Sequence, residues 1–160
     1  MNILFVCLGN ICRSPTVEGV ARRIAAHEFP QLDLGFDSAG IADYHVGAPP
    51  DERSQRHALA RNYDISTFRA RQVMREDFRL FDLLLAMDED NLVALRALAP
   101  RGLAARARLF LSWMPEGGSS AVPDPYYGGH GDFETVLDLA EHGSRALFVA
   151  LAAIPVVGGP

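Results

Sequence analysis

Residues Ile3-Leu4-Phe5-Val6 form an unbroken apolar run. A strand with one wet face alternates apolar and polar residues, whereas an unbroken run is buried on both faces. That is the habit of parallel sheets covered by helices on either side. The signature returns as a dense apolar run with one acid at Phe81–Met87, and more weakly at Leu34–Ser38 and Ala107–Leu111. Between these runs the period changes to that of helices. Ser14-Pro15 reads as a helix start, with Ser14 as N-cap and Pro15 at the first helical position, where its missing N–H costs nothing. Val17, Val20, Ala21 and Ile24 then recur on one face, with Glu18, Arg22 and Arg23 on the other. Asp51 can cap a helix running to about Asn62. Asp88 can cap one whose apolar face is Leu92, Leu95 and Leu98, ended by Pro100 and Gly102. Residues 114–131 are rich in Pro and Gly and read as a long loop; Phe133–Ile154 reads as a long amphipathic helix.

Strands alternating with helices predict an α/β fold in three layers, a parallel sheet with helices on both faces. In such sheets ligands bind at the carboxyl ends of strands, near the point where strand order reverses. The loop after the first strand is therefore the place to look. The chain of 160 residues suits one domain, residues 1–154, with 155–160 expected to be a flexible tail.

Composition narrows the chemistry. The net charge of −5 gives no basic surface for nucleic acid, so an anionic ligand has to be held by a local positive site. All 15 basic residues are Arg, which removes Schiff-base lysines and the phosphate-loop lysine of nucleotide-binding proteins. The two cysteines, Cys7 and Cys12, are too close together to staple a fold, and no His follows at zinc-ligand spacing. The opening apolar run is too short for a secretory signal, and no run approaches the length of a membrane span. The expected setting is the reducing cytoplasm, without a membrane partner.

The loop after the first strand reads Cys7-Leu8-Gly9-Asn10-Ile11-Cys12-Arg13-Ser14, with five residues between Cys7 and Arg13. Backbone N–H groups here, with a helix N-terminus behind them, make a concave anion site. Gly9 lets the backbone turn and approach a ligand, and Asn10 tolerates a left-handed conformation and can brace the loop. Arg13 offers a planar fork to two phosphate oxygens. A thiol at the base of such a cradle is favoured as thiolate, a nucleophile aimed at phosphorus, and Ser14 can donate a hydrogen bond to it. By itself, a Cys and an Arg at this spacing would more often be a buried structural Cys and a solvated Arg; the strand before and the helix after reverse that weighing. Breaking a phosphate ester also needs an acid for the leaving oxygen. Asp124, in Pro123-Asp124-Pro125-Tyr126-Tyr127-Gly128, sits on a segment stiffened by two prolines. Asp-Pro alone is an ordinary turn signal, but the adjacent tyrosines can wall a pocket for an aromatic substrate.

These residues resemble the low-molecular-weight protein tyrosine phosphatases. The resemblance rests on Val6 to Pro15 and Asp124 to Gly128, with support from Asp37-Ser38-Ala39-Gly40, Ala70-Arg71-Gln72, Phe81-Asp82, Met87-Asp88 and Asp132-Phe133-Glu134, and runs to about residue 150. It implies a four-stranded parallel sheet with a phosphate-binding loop, residues 8–14, after the first strand. It also implies a two-step mechanism needing neither metal nor cofactor. Cys7 attacks phosphorus, Asp124 acts as general acid and then base, and Arg13 with the loop amides stabilises the transition state. Tyrosine-phosphorylated proteins are the implied partners. Ser38 matches the serine that supports Asn10, and Asp88 an acid standing behind the loop. Leu8, Ile11, Tyr44, Tyr126 and Tyr127 match positions lining the substrate cleft; Asp51 and Arg53 match its rim. Cys12 matches the residue that traps oxidised Cys7 as a disulfide. One departure stands out: many members carry a His two residues before Ala-Arg-Gln, bonded to the loop serine, and Phe68 stands there instead. Either the network behind Ser14 is incomplete or another group supplies it.

Three rival readings are weighed, and the last two stay open. An arsenate reductase of the same fold needs further cysteines, and there are none. Phosphoarginine phosphatases tend to carry Thr where Ile11 stands, and an apolar side chain there favours an aromatic ring. A non-catalytic phosphotyrosine-binding module would need no intact Cys7, Arg13 and Asp124, yet all three are present.

Overall fold

The computed structural model describes residues 1–116 and 118–155. Four parallel strands, β1 (Asn2–Cys7), β2 (Gly35–Gly40), β3 (Leu83–Ala86) and β4 (Ala107–Leu109), lie in the order β2-β1-β3-β4. The chain leaves β1 for one neighbour and later returns to its other side. The carboxyl end of β1, where Cys7 sits, is thus the point of reversal at which open sheets bind ligands. The expected three-layer α/β fold with helices on both faces is what forms.

The unbroken run in β1 is buried as its pattern requires. Ile3, Phe5 and Cys7 face one core, with Val17, Val20, Ala21 and Ile24 of α1 (Arg13–Glu28) and Val136, Leu137, Ala140 and Leu147 of α5 (His130–Ala152). Leu4 and Val6 face the other, with Phe78 of α3 (Asp77–Leu80) and Leu92 and Leu95 of α4 (Glu89–Leu98). Period-2 alternation along one strand divides the interior into two layers. The remaining helix, α2 (Glu52–Ala60), lies against α1 and α5.

Asp51 and Asp88 cap α2 and α4 as expected, their carboxylates accepting from Arg53 N and Asn91 N at 2.8 Å each. Ser14 does not cap α1. The helix starts at Arg13, two residues earlier than expected, and the Ser14 hydroxyl turns back toward the loop. Pro15 still lies in the first turn, where no N–H is required. The dense run at 81–87 forms a strand only over Leu83–Ala86, because α3 ends directly before Phe81 and the Asp82 carboxylate accepts from Asn2 N at 2.7 Å. Helix α5 starts at His130 rather than Phe133, since the Asp132 carboxylate accepts from Gly129 N at 2.7 Å and fastens the first turn. The tail expected at 155–160 lies, beyond residue 155, outside the described residues. Among the described residues, no helix is long and apolar enough to cross a membrane.

Candidate active site

The loop after β1 is shaped by its own turn and by neighbours that hold it. Asn10, not Gly9, takes the left-handed conformation, with φ of 57°. Asn adopts that region more readily than other residues with a Cβ. Ile41 N and Ala42 N donate to Cys7 O and Leu8 O at 2.9 Å each, and Asp51 N donates to Ile11 O at 2.8 Å. The end of β2 can come this close because residue 40 is Gly: a Cβ there would lie 2.9 Å from Leu8 O.

The turn aims donors at the sulfur. Asn10 N lies 3.2 Å from Cys7 Sγ and Ser14 Oγ 3.1 Å. Behind the sulfur runs a buried chain of hydrogen bonds. Asn10 Nδ2 donates to Ser14 Oγ at 2.8 Å and to Ser38 Oγ at 3.0 Å, and Ser38 Oγ donates to Glu18 Oε2 at 2.6 Å. Asn10 Oδ1 accepts from Arg71 N at 3.0 Å, and the Arg71 guanidinium is fixed by Asp37 at 3.0 Å and Asp77 at 3.0 Å. Glu18 thus anchors the far end of a chain that reaches Ser14 through Ser38 and Asn10, with no bond to Ser14 itself. Phe68 itself packs beside α1, with the Arg22 guanidinium over its ring at 5.9 Å. Burial raises the Glu18 carboxyl above its usual value, and bonds from Ser38 and Arg22 oppose the shift. Glu18, Arg71, Asp37 and Asp77 were not identified as site residues from sequence. Glu18 reads there as the solvent side of an amphipathic helix, and nothing local shows that β2 covers it.

Arg13 is buried and held from two directions. Its Nη1 donates to Asp88 Oδ2 at 2.6 Å and to Val122 O at 3.3 Å, while Nη2 lies 3.6 Å from Asp124 Oδ2. Asp88 thus caps α4 with one oxygen and orients Arg13 with the other. The acid segment is positioned by Val122 N donating to Met87 O at 2.8 Å, at the end of β3. Asp124 accepts from Tyr126 N at 3.1 Å and leaves about half of its side chain open, at 48 %.

Together these segments enclose a cleft of about 360 Å³ with Cys7 and Arg13 at its base and Asp124 on its wall. Leu8, Gly9, Ile11 and Cys12 line it, as do Tyr44, Tyr126 and Tyr127, while Asn10 and Ser14 turn beneath the loop instead. His45 also lines the cleft, 3.1 Å from where a Gly9 Cβ would stand, and was not singled out from sequence. Asp51 and Arg53, expected at the rim, are not among the lining residues but lie next to one of them, Tyr126. They pair with each other at 2.9 Å, and Arg53 Nη2 donates to Tyr126 O at 2.9 Å, so they brace the wall from behind. Both cysteines are free. Burial pushes the Cys12 thiol up to about 12, a hydrogen bond with Ser54 working against the shift. A thiol nucleophile, an arginine fork and a half-open carboxyl around one cleft suit attack on a phosphate monoester with protonation of its leaving oxygen.

Residues 2–154 match the family described as low molecular weight phosphotyrosine protein phosphatase. The low molecular weight protein-tyrosine-phosphatase YfkJ of Bacillus subtilis is 36% identical, covering 94% of this chain and 96% of its own. The low molecular weight phosphotyrosine protein phosphatase of Homo sapiens is 40% identical, covering 84% of this chain and 85% of its own. Among solved structures, a protein tyrosine phosphatase of Entamoeba histolytica superposes with a TM-score of 0.90 at 35% identity, covering 95% of this chain and 97% of that one.

Proposed function

The chain belongs to the low molecular weight phosphotyrosine protein phosphatase family, and from that premise we propose how its residues carry out the hydrolysis of phosphotyrosine in proteins. Cys7 Sγ attacks phosphorus and forms a phosphocysteine as the phosphorus–oxygen bond to tyrosine breaks. Asp124 gives its proton to the departing phenolic oxygen, then takes one from the water that releases phosphate. Arg13 binds the phosphoryl oxygens beside the loop amides, and Asp88 holds its guanidinium in register for both steps. Ser14 stabilises the thiolate as it leaves in the second step. The aromatic ring lies among Ile11, Tyr44, Tyr126 and Tyr127. Residues 1–154 act as one catalytic unit.

The observation that carries this reading is the convergence of two polar groups on Cys7 Sγ, Asn10 N donating at 3.2 Å and Ser14 Oγ within hydrogen-bond distance at 3.1 Å, in a cleft shared with Arg13 and Asp124. A thiol nucleophile needs a reducing compartment, and on that ground the reading places the protein in the cytoplasm. Under peroxide, Cys7 is oxidised to the sulfenic acid. Cys12 then condenses with it to a disulfide and water, which a thiol reductant reverses.

Hydrolysis of an aryl phosphate in the presence of a chelator, by the parent protein and Cys7→Ser, tests the reading. Turnover that persists with chelator and disappears in Cys7→Ser is expected. A folded, reduced parent that retains a phosphotyrosine peptide yet releases no phosphate would make the cleft a binding module and overturn it.

A further inference from the structure

Away from the cleft, three side chains with metal-ligating atoms converge. They are His57 in the last turns of α2, and His130 and Glu134 in the first turns of α5; their ligand atoms all lie within 4.8 Å of one another. His130 and Glu134 are four residues apart on one helix, so they share a face. His57 Nδ1 stands 3.4 Å from Glu134 Oε1, and His130 Nε2 stands 3.9 Å from the same oxygen. A tetrahedral zinc ion with bonds of about 2.0–2.1 Å separates its ligands by about 3.4 Å. Of the three separations, one already has that value, a second lies close to it, and the third, between the two histidines, is no more than 4.8 Å. His130, with its side chain 80 % exposed, is free to close the remainder.

The surroundings select the ligand atoms. The other oxygen of Glu134, Oε2, accepts from Arg61 Nη2 at 2.9 Å, which turns Oε1 toward the histidines. His57 stacks on Phe133 with ring centres 5.4 Å apart and planes 11° apart, so its ring plane is set before any ligand arrives. The His57 and His130 rings approach to 4.5 Å without a hydrogen bond between them. Two imidazoles and one carboxylate are a zinc-type donor set with room for water in a fourth position. No motif in the sequence announces it, because one histidine comes from α2 and the other two ligands from α5.

We propose that His57, His130 and Glu134 form a binding site for Zn²⁺ or a similar first-row dication, separate from the phosphatase chemistry. An ion there links the end of α2 to the start of α5. The loop carrying Asp124 and Tyr126 runs directly into that start, so the ion fastens the downstream anchor of the acid segment.

Titration of Zn²⁺ into the parent protein and into Cys7→Ser, followed by calorimetry and thermal unfolding, tests the site. Cys7→Ser removes the reactive thiol as a competing ligand. One ion per chain in Cys7→Ser, with a metal-dependent rise in unfolding temperature, is expected. His130→Ala in that background should weaken binding by about tenfold or more and leave the metal-free unfolding temperature unchanged, since His130 is a surface residue. Glu134→Gln provides a second variant with the same expected loss of binding. Absence of binding in Cys7→Ser, or affinity in His130→Ala within twofold of its background, would overturn the site. Neither result would touch the phosphatase reading, which the aryl phosphate assay decides.

Discussion

Asn10 makes the active-site loop depend on one side chain in two separable ways. Its backbone occupies the left-handed region at φ of 57°, and its amide makes three hydrogen bonds, to Ser14 Oγ, Ser38 Oγ and Arg71 N. Asn10→Gly keeps the backbone freedom and removes all three bonds. Each buried hydrogen bond contributes about 1 kcal/mol net, so the working loop conformation loses about 3 kcal/mol. If that loss falls on transition-state binding, kcat/KM drops by about a hundredfold. Asn10→Ala loses the same bonds and adds roughly 1 kcal/mol for a Cβ in the left-handed region, a further factor of about five. The assay is aryl phosphate hydrolysis at subsaturating substrate, with unfolding temperatures recorded for both variants. An Asn10→Gly protein within twofold of the parent would refute the claim that the buried chain holds the loop. Equal activities for the Gly and Ala variants would refute the backbone part alone.

Three further outcomes are expected. With the Cys12 thiol pushed up to about 12, only roughly one molecule in 10⁵ carries its thiolate at pH about 7. Iodoacetamide should therefore add a single label, at Cys7, as read by peptide mass spectrometry; comparable labelling of Cys12 would contradict the burial argument. Burial raises the Glu18 carboxyl above 4.5. A group raised on folding favours the folded state at low pH, and that contribution is lost as pH climbs through its folded value. Glu18→Gln carries no such dependence, so its unfolding temperature relative to the parent should rise as pH climbs above the ordinary carboxylate range; a falling difference would refute the sign. Gly143 of α5 faces Phe110 and Leu111, and a Cβ there would meet both side chains at 2.7 Å. Gly143→Ala should cost about 1–3 kcal/mol of overpacking, measured by denaturant unfolding, and a variant as stable as the parent would show that this contact yields.

Much of this architecture is legible in the chain because its signals are local. The unbroken run at residues 3–6 announces a strand buried on both faces, and Asp51 and Asp88 sit where helices start. Cys7, Arg13 and Asp124 are legible through the loop and the proline-flanked acid, and the structure brings all three to one cleft. What stayed hidden depends on elements far apart in sequence. Glu18 becomes a buried anchor only because β2 brings Ser38 onto it. Arg71 reaches Asn10 only because its segment lies beside the end of β2, where Gly40 N donates to Arg71 O at 2.8 Å. Ser14 shows how a local rule is overridden: it has the composition of an N-cap, but its hydroxyl is worth more beside Cys7 and Asn10. Asp51 and Arg53 pair with each other, and Arg53 alone reaches Tyr126 O, a contact made across 73 residues that no local pattern announces.

The claim on which the rest depends is that Cys7 carries the phosphoryl group between the two steps. Acid quenching during turnover of a phosphate-labelled aryl substrate, followed by peptide mapping, tests it directly. The account predicts label on the peptide containing Cys7, accumulating further in Asp124→Ala with a good leaving group, because the acid that also serves as base is gone. Turnover with no labelled protein at any quench time, together with activity surviving in Cys7→Ser, would contradict it.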